Sequence, residues 1–176
     1  MKKIFKTLFA SWMVMMAFSA IVQAHDTQLP AEKSSAELNR IKSLAGKWTS
    51  TSSMFGKKNQ RLYTEYSVTA AGSAVLERIF PGTPQEMVSV YYDDDHGKLT
   101  MTHYCILHNR PTLKLANSST PDTFTMKLAK LEGLKSKTDH SMGEIEIHFK
   151  DKNHFETTCK GKGKEAPMTM AYTRVR

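Results

Sequence analysis

The residues of this chain best suited to chemistry lie in one short stretch, Thr102-His103-Tyr104-Cys105-Ile106-Leu107-His108. Imidazole and thiolate are metal ligands, and a Cys beside a His is also the raw material of a nucleophile. On an extended strand, however, successive side chains alternate, so His103 and Cys105 share a face and His108 takes the other unless the chain bends near Leu107. No C-x-x-C or H-E-x-x-H accompanies them, so no cofactor is expected, with a metal or haem iron as the alternative. Asp93-Asp94-Asp95 lacks the spaced ligands and closing Glu of a calcium loop and, followed by His96-Gly97, reads as a hairpin turn. There is no G-x-S-x-G and no Gly-rich phosphate loop ahead of a helix.

The strand that carries these groups offers two faces. Leu99, Met101, His103, Cys105 and Leu107 form the more apolar one and are expected inside, which places an imidazole and a thiol in the core. Residues 74–80 add a charge whichever way they turn, since Val75, Glu77 and Ile79 oppose Ala74, Leu76, Arg78 and Phe80. A lone buried charge is costly, so it must be paired or face a polar cavity. The candidate ligand-binding set is therefore Glu77 or Arg78 with His103 and Cys105, and with Tyr104, Asn109 and Arg110 nearer the mouth. The competing reading makes His103 a hydrogen-bonded core histidine and Cys105 a small buried hydrophobe.

The elements that must position them follow from punctuation and period. Ser34-Ser-Ala-Glu37 has capping-box spacing, Leu38, Ile41 and Leu44 recur at helical spacing, and Gly46 is placed to end a short helix. Ten strand-like runs follow, at residues 47–51, 61–70, 74–80, 86–92, 98–107, 112–116, 123–130, 143–150, 154–160 and 167–174. Turn signals such as Ala71-Gly72, Pro81-Gly82 and Asp151-Lys-Asn153 separate them, and no helix intervenes. Ile145, Ile147 and Phe149 alternate with Glu144, Glu146, His148 and Lys150, so that strand has one buried and one wet face. Short strands without helices predict an all-β antiparallel up-and-down meander of eight to ten strands, and closing it into a barrel removes exposed edges.

Residues 1–24 are expected to be a secretory signal peptide. Lys2, Lys3 and Lys6 precede an apolar run from Leu8 to Ile21, and Val22-Gln23-Ala24 is a small-x-small cleavage site. The run is shorter than the roughly 20 residues of a membrane span, and no later segment approaches that length. The mature chain is then periplasmic or secreted, with a polar lead at 25–33 and one domain at 34–176. Removing the signal takes three of the 25 basic residues and none of the 17 acidic ones, which leaves a net charge of +5. The basic residues are scattered, and Lys160-Gly-Lys162-Gly-Lys164 has no interleaved aromatics, so nucleic-acid binding is not expected. Cys105 and Cys159 are the only cysteines. Export favours a bridge, but the intervening strands hold them apart, and two unbridged thiols are expected.

Leu44-Ala-Gly46-Lys-Trp48 after a short helix resembles the G-x-W start of the lipocalin and calycin barrels. That resemblance implies that Trp48 closes one barrel end with Arg174 packed across its ring, Arg176 being the second choice. Gly72-Ser-Ala-Val-Leu-Glu77, Phe80-Pro-Gly-Thr and Thr102-His-Tyr-Cys105 are similar to a group of small, uncharacterised, lipocalin-like bacterial secreted proteins. The resemblance implies the fold and brings no activity with it. The functional expectation is a barrel that binds a small, largely apolar ligand. The alternatives are an enzyme acting through His103 and Cys105 and a filled barrel acting as an interaction module.

Overall fold

The computed structural model describes residues 33–52, 60–136, 140–163 and 166–176. The expected signal peptide and the lead up to residue 32 lie outside the described residues, as does Lys164. Among the described residues the one α-helix, α1 (Ala36–Lys42), is followed by ten strands: β1 (Gly46–Ser52), β2 (Gln60–Thr69), β3 (Ala74–Ile79), β4 (Met87–Asp93), β5 (Leu99–Tyr104), β6 (Arg110–Leu115), β7 (Thr123–Glu132), β8 (Met142–Asp151), β9 (His154–Gly161) and β10 (Met168–Arg174). Each strand is antiparallel to its sequence neighbours, and β1 pairs with β10 to close an up-and-down barrel. Closure leaves no open sheet edge.

Helix α1 begins one residue later than the capping-box spacing suggests. Ser35 Oγ accepts the Leu38 N–H at 2.9 Å. The return bond to the cap comes from Asp93 at the end of β4 and not from Glu37. Ser35 N donates to Asp93 Oδ2 at 2.6 Å and Ser35 Oγ donates to Oδ1 at 2.7 Å. Leu38, Ile41 and Leu44 are all buried, so the helix lays its apolar stripe over one end of the barrel. Its C-cap is Ser43. Gly46 opens β1 instead of ending the helix, at φ 128°, where an added Cβ would meet Arg174 Nη1 at 2.9 Å.

The expected alternation holds in β8, where Ile145, Ile147 and Phe149 are buried and His148 and Lys150 are exposed. In β5 the face of Leu99, Met101 and His103 is inside, as expected. The strand is shorter than the sequence suggests, because at Cys105 the chain turns. His108 N donates to Cys105 O, Cys105 N donates to Asn109 O, and His108 adopts φ 64°. The Asp94 turn is a self-contained hairpin, in which Asp94 Oδ1 accepts from His96 N and Lys98 N and Oδ2 accepts from Lys114 Nζ. These bonds, led by that from Lys114, pull the Asp94 carboxyl down to about 2.

The half of the barrel next to α1 is filled. Trp48 meets Phe155 edge-on at 4.7 Å, and Phe155 stacks on Tyr172 at 4.4 Å. Arg174 covers the outside of Trp48. At this end the barrel is an aromatic core, with ring contacts that add to area burial.

Candidate functional site

The other half is open. A cavity of about 410 Å³ runs inward from the end at which β5 turns and β10 begins, a size within the usual range for small-molecule sites. Ile79, Phe80, Met87, Ile145, Met168 and Met170 form its apolar walls. Ile106 and Leu107, 40% and 52% exposed, mark the mouth with His140 and Ala166. A second hollow, of about 580 Å³, lies between α1 and the β6–β7 connection, and Phe124 is its only buried member among the described residues.

The inner end of the cavity is polar because one row of the sheet is polar. Tyr66 of β2 pairs with Glu77 of β3, Glu77 with Ser89 of β4, and Ser89 with His103 of β5. Directly opposed side chains on neighbouring strands stand about 4.5–5.5 Å apart, so four residues far apart in sequence become one strip. All four are buried.

Hydrogen bonds join the strip. Tyr66 Oη donates to Glu77 Oε1 at 2.6 Å, and Tyr91 Oη donates to Oε2 at 3.0 Å. Ser89 Oγ lies 3.0 Å from His103 Nδ1. Burial raises the Glu77 carboxyl above its ordinary range, and the hydroxyls of Tyr66, Ser89 and Tyr91 oppose that rise. Burial pushes His103 down to about 4, so its ring is neutral near pH 7. The Tyr66 and Tyr91 phenols are raised, first by burial and then by the neighbouring Glu77, and remain protonated donors.

The seven residues singled out from the sequence separate into three groups. Glu77, His103 and Cys105 line the cavity. Asn109 is buried behind the mouth, where its Nδ2 donates to the His140 carbonyl at 2.7 Å and so positions the 140–142 segment. Gly133 lets the chain pass close by, since a Cβ there would meet His108 O at 2.5 Å.

Arg78, Tyr104 and Arg110 are not on the cavity. The register that turns Glu77 inward turns Arg78 outward, where its Nη2 pairs with Glu86 at 2.8 Å and its Nη1 with Glu65 at 3.7 Å. Tyr104 is 49% exposed, because it has the opposite parity to His103, and Arg110 is exposed at the start of β6.

The metal spacing is also resolved by the turn. The chain does bend near Leu107, yet His108 is exposed and does not line the cavity, and among the described residues no three His, Cys, Asp or Glu side chains are grouped to hold an ion. Nor does a hydrogen bond join His103 to Cys105 among the described residues.

Sequence reasoning missed Tyr66, Ser89, Tyr91 and Tyr172, which build the polar end, and Cys159, which faces the cavity from β9. Parity brings Tyr66 inside with Leu62 and Cys159 inside with Phe155, whereas Ser89, Tyr91 and Tyr172 follow only from the cross-strand register.

A comparison with protein-family models and with curated proteins finds no match. The site therefore rests on its own geometry.

Proposed function

We propose that this protein is an exported, lipocalin-like binding protein that takes a small, largely apolar ligand into the open half of its barrel. The observation that carries this reading is the cavity itself, with largely apolar walls and with Glu77, Ser89 and His103 grouped at its inner end. Met87, Met142, Met168 and Met170 supply unbranched, polarisable side chains that re-pack around ligands of different shape. The lipocalin-like reading is supported by Trp48, buried beneath Arg174 at the end covered by α1. Export is supported by the basic, apolar and small-x-small pattern of residues 2–24.

Native mass spectrometry of protein purified from its own host tests this. The expected result is a mature mass lacking residues 1–24, plus a co-purifying small molecule, or, for empty protein, saturable binding of the neutral dye Nile red. A chain that binds neither overturns the reading.

A further inference from the structure

The inner end of the cavity specifies the polar end of its ligand, given that the cavity binds one. Glu77 is 4% exposed and lines the cavity. The groups acting on its carboxyl are hydroxyls and not cations. Its neighbour Arg78 is turned outward and engaged by Glu65 and Glu86. When Ser89 gives its proton to an ionised Glu77, the 3.0 Å contact between Ser89 Oγ and His103 Nδ1 requires Nδ1 to carry the hydrogen and donate. Nε2 is left as an acceptor. Two acceptors, of which Glu77 is an anion once its proton is lost, then stand together at the end of an apolar chamber.

We propose that the cavity receives amphiphilic amines, with a primary ammonium seated between Glu77 and His103 and the apolar tail directed past Met87 and Met170 to the mouth. A buried carboxylate without a cation is costly, and the ligand's charge supplies the missing partner. An ammonium also brings three N–H donors to acceptors that a hydroxyl can only partly satisfy. A fatty acid would place a second anion beside Glu77.

The test is displacement of Nile red from the full chain at pH 7.5 by octylamine, octanol and octanoate. Octylamine is expected to displace the dye at a concentration at least ten-fold below that of octanol, with octanoate weakest. Glu77→Gln should bring octylamine to within about three-fold of octanol. A second measurement does not depend on the variant folding. In the unaltered protein the octylamine affinity should fall as pH drops and Glu77 takes up its proton, while the octanol affinity stays flat. The titratable groups around Glu77 are Tyr66 on β2, Tyr91 on β4, His103 on β5, Cys159 on β9 and Tyr172 on β10, with His140 at the mouth. Of these His103 gains charge as pH falls towards about 4, and it too repels an ammonium. Octanoate binding as tightly as octylamine, or an amine preference that survives Glu77→Gln, overturns the inference. Dye binding without any amine preference overturns it alone, whereas a chain that binds neither the dye nor a co-purifying molecule overturns the cavity reading with it.

Discussion

The guanidinium of Arg174 lies 4.1 Å from the centroid of the Trp48 ring, and the two residues are also direct partners across the β1–β10 seam that closes the barrel. Arg174 Nη1 and Nη2 donate to the carbonyls of Ala45 and Ser43, and its Nε donates to Lys152 O, while Trp48 Nε1 donates to Leu44 O. One pair thus ties the end of α1, the first strand and the last strand together. Trp48→Ala should destabilise the fold by roughly 3–5 kcal/mol, the range for large aromatic truncations in cores. Arg174→Ala should cost about 2–3 kcal/mol through lost charge-assisted bonds and ring contact. Urea denaturation measures both, and a loss below about 1 kcal/mol at Trp48 would mean that the seam does not depend on it.

Gly46 lies against the same arginine. Gly46→Ala is expected to cost about 2–3 kcal/mol, because it combines a disfavoured φ with a clash at Arg174 Nη1. Gly97→Ala also carries a positive φ but meets open space, so it should cost about 1 kcal/mol. Equal losses at the two sites would remove the clash from the explanation.

The Ser35–Asp93 cap predicts coupling between residues 58 positions apart. Asp93→Ala and Ser35→Ala should each destabilise by about 1–2 kcal/mol. A double-mutant cycle should return a coupling of at least about 0.5 kcal/mol. Strict additivity would show that α1 docks without this bond.

His103 and Glu77 act on acid stability in opposite directions. His103 has its folded pKa depressed to about 4 from 6.5, so the unfolded chain binds more protons between those values and stability falls as pH drops through that window. The full loss is bounded at about 3 kcal/mol, from 1.36 kcal/mol per unit. Glu77 is raised, so the folded protein binds the extra proton, and its contribution rises as pH falls from its folded pKa towards 4.5. Denaturation curves from pH 7 to pH 4 should therefore flatten in His103→Gln and steepen in Glu77→Gln. The same slope in both variants and the parent would place the acid sensitivity elsewhere.

Cys105 and Cys159 form no disulfide, although both line the cavity. They stand on opposite walls, at the end of β5 and on β9, with β6, β7 and β8 between them around the ring. Denatured, non-reduced protein should yield two titratable thiols. In the native protein a bound ligand should slow alkylation of both together, and an alkylation rate that ignores a saturating ligand would place that ligand outside the cavity.

The sequence by itself determined whatever depends on a local period. Leu38, Ile41 and Leu44 declare a helix face, and Ile145, Ile147 and Phe149 declare a strand face, because burial repeats with the geometry of the chain. Turn residues marked the strand ends, Gly46-x-Trp48 and Arg174 marked the closed end, and uninterrupted strands implied closure. Tertiary structure alone decided which of the candidates meet in the site. Glu77 and Arg78 were equal candidates for the interior, since each sits on a face with apolar neighbours. Register chose between them by setting Glu77 opposite Tyr66 and Ser89 and giving Arg78 to Glu65 and Glu86. Likewise Asp93, read as part of a hairpin turn, became the partner of the helix cap Ser35, 58 residues earlier. Hydrogen-bond partners across strands depend on which residues the ring brings level, and that offset is set by every hairpin between them, not by any one stretch of sequence.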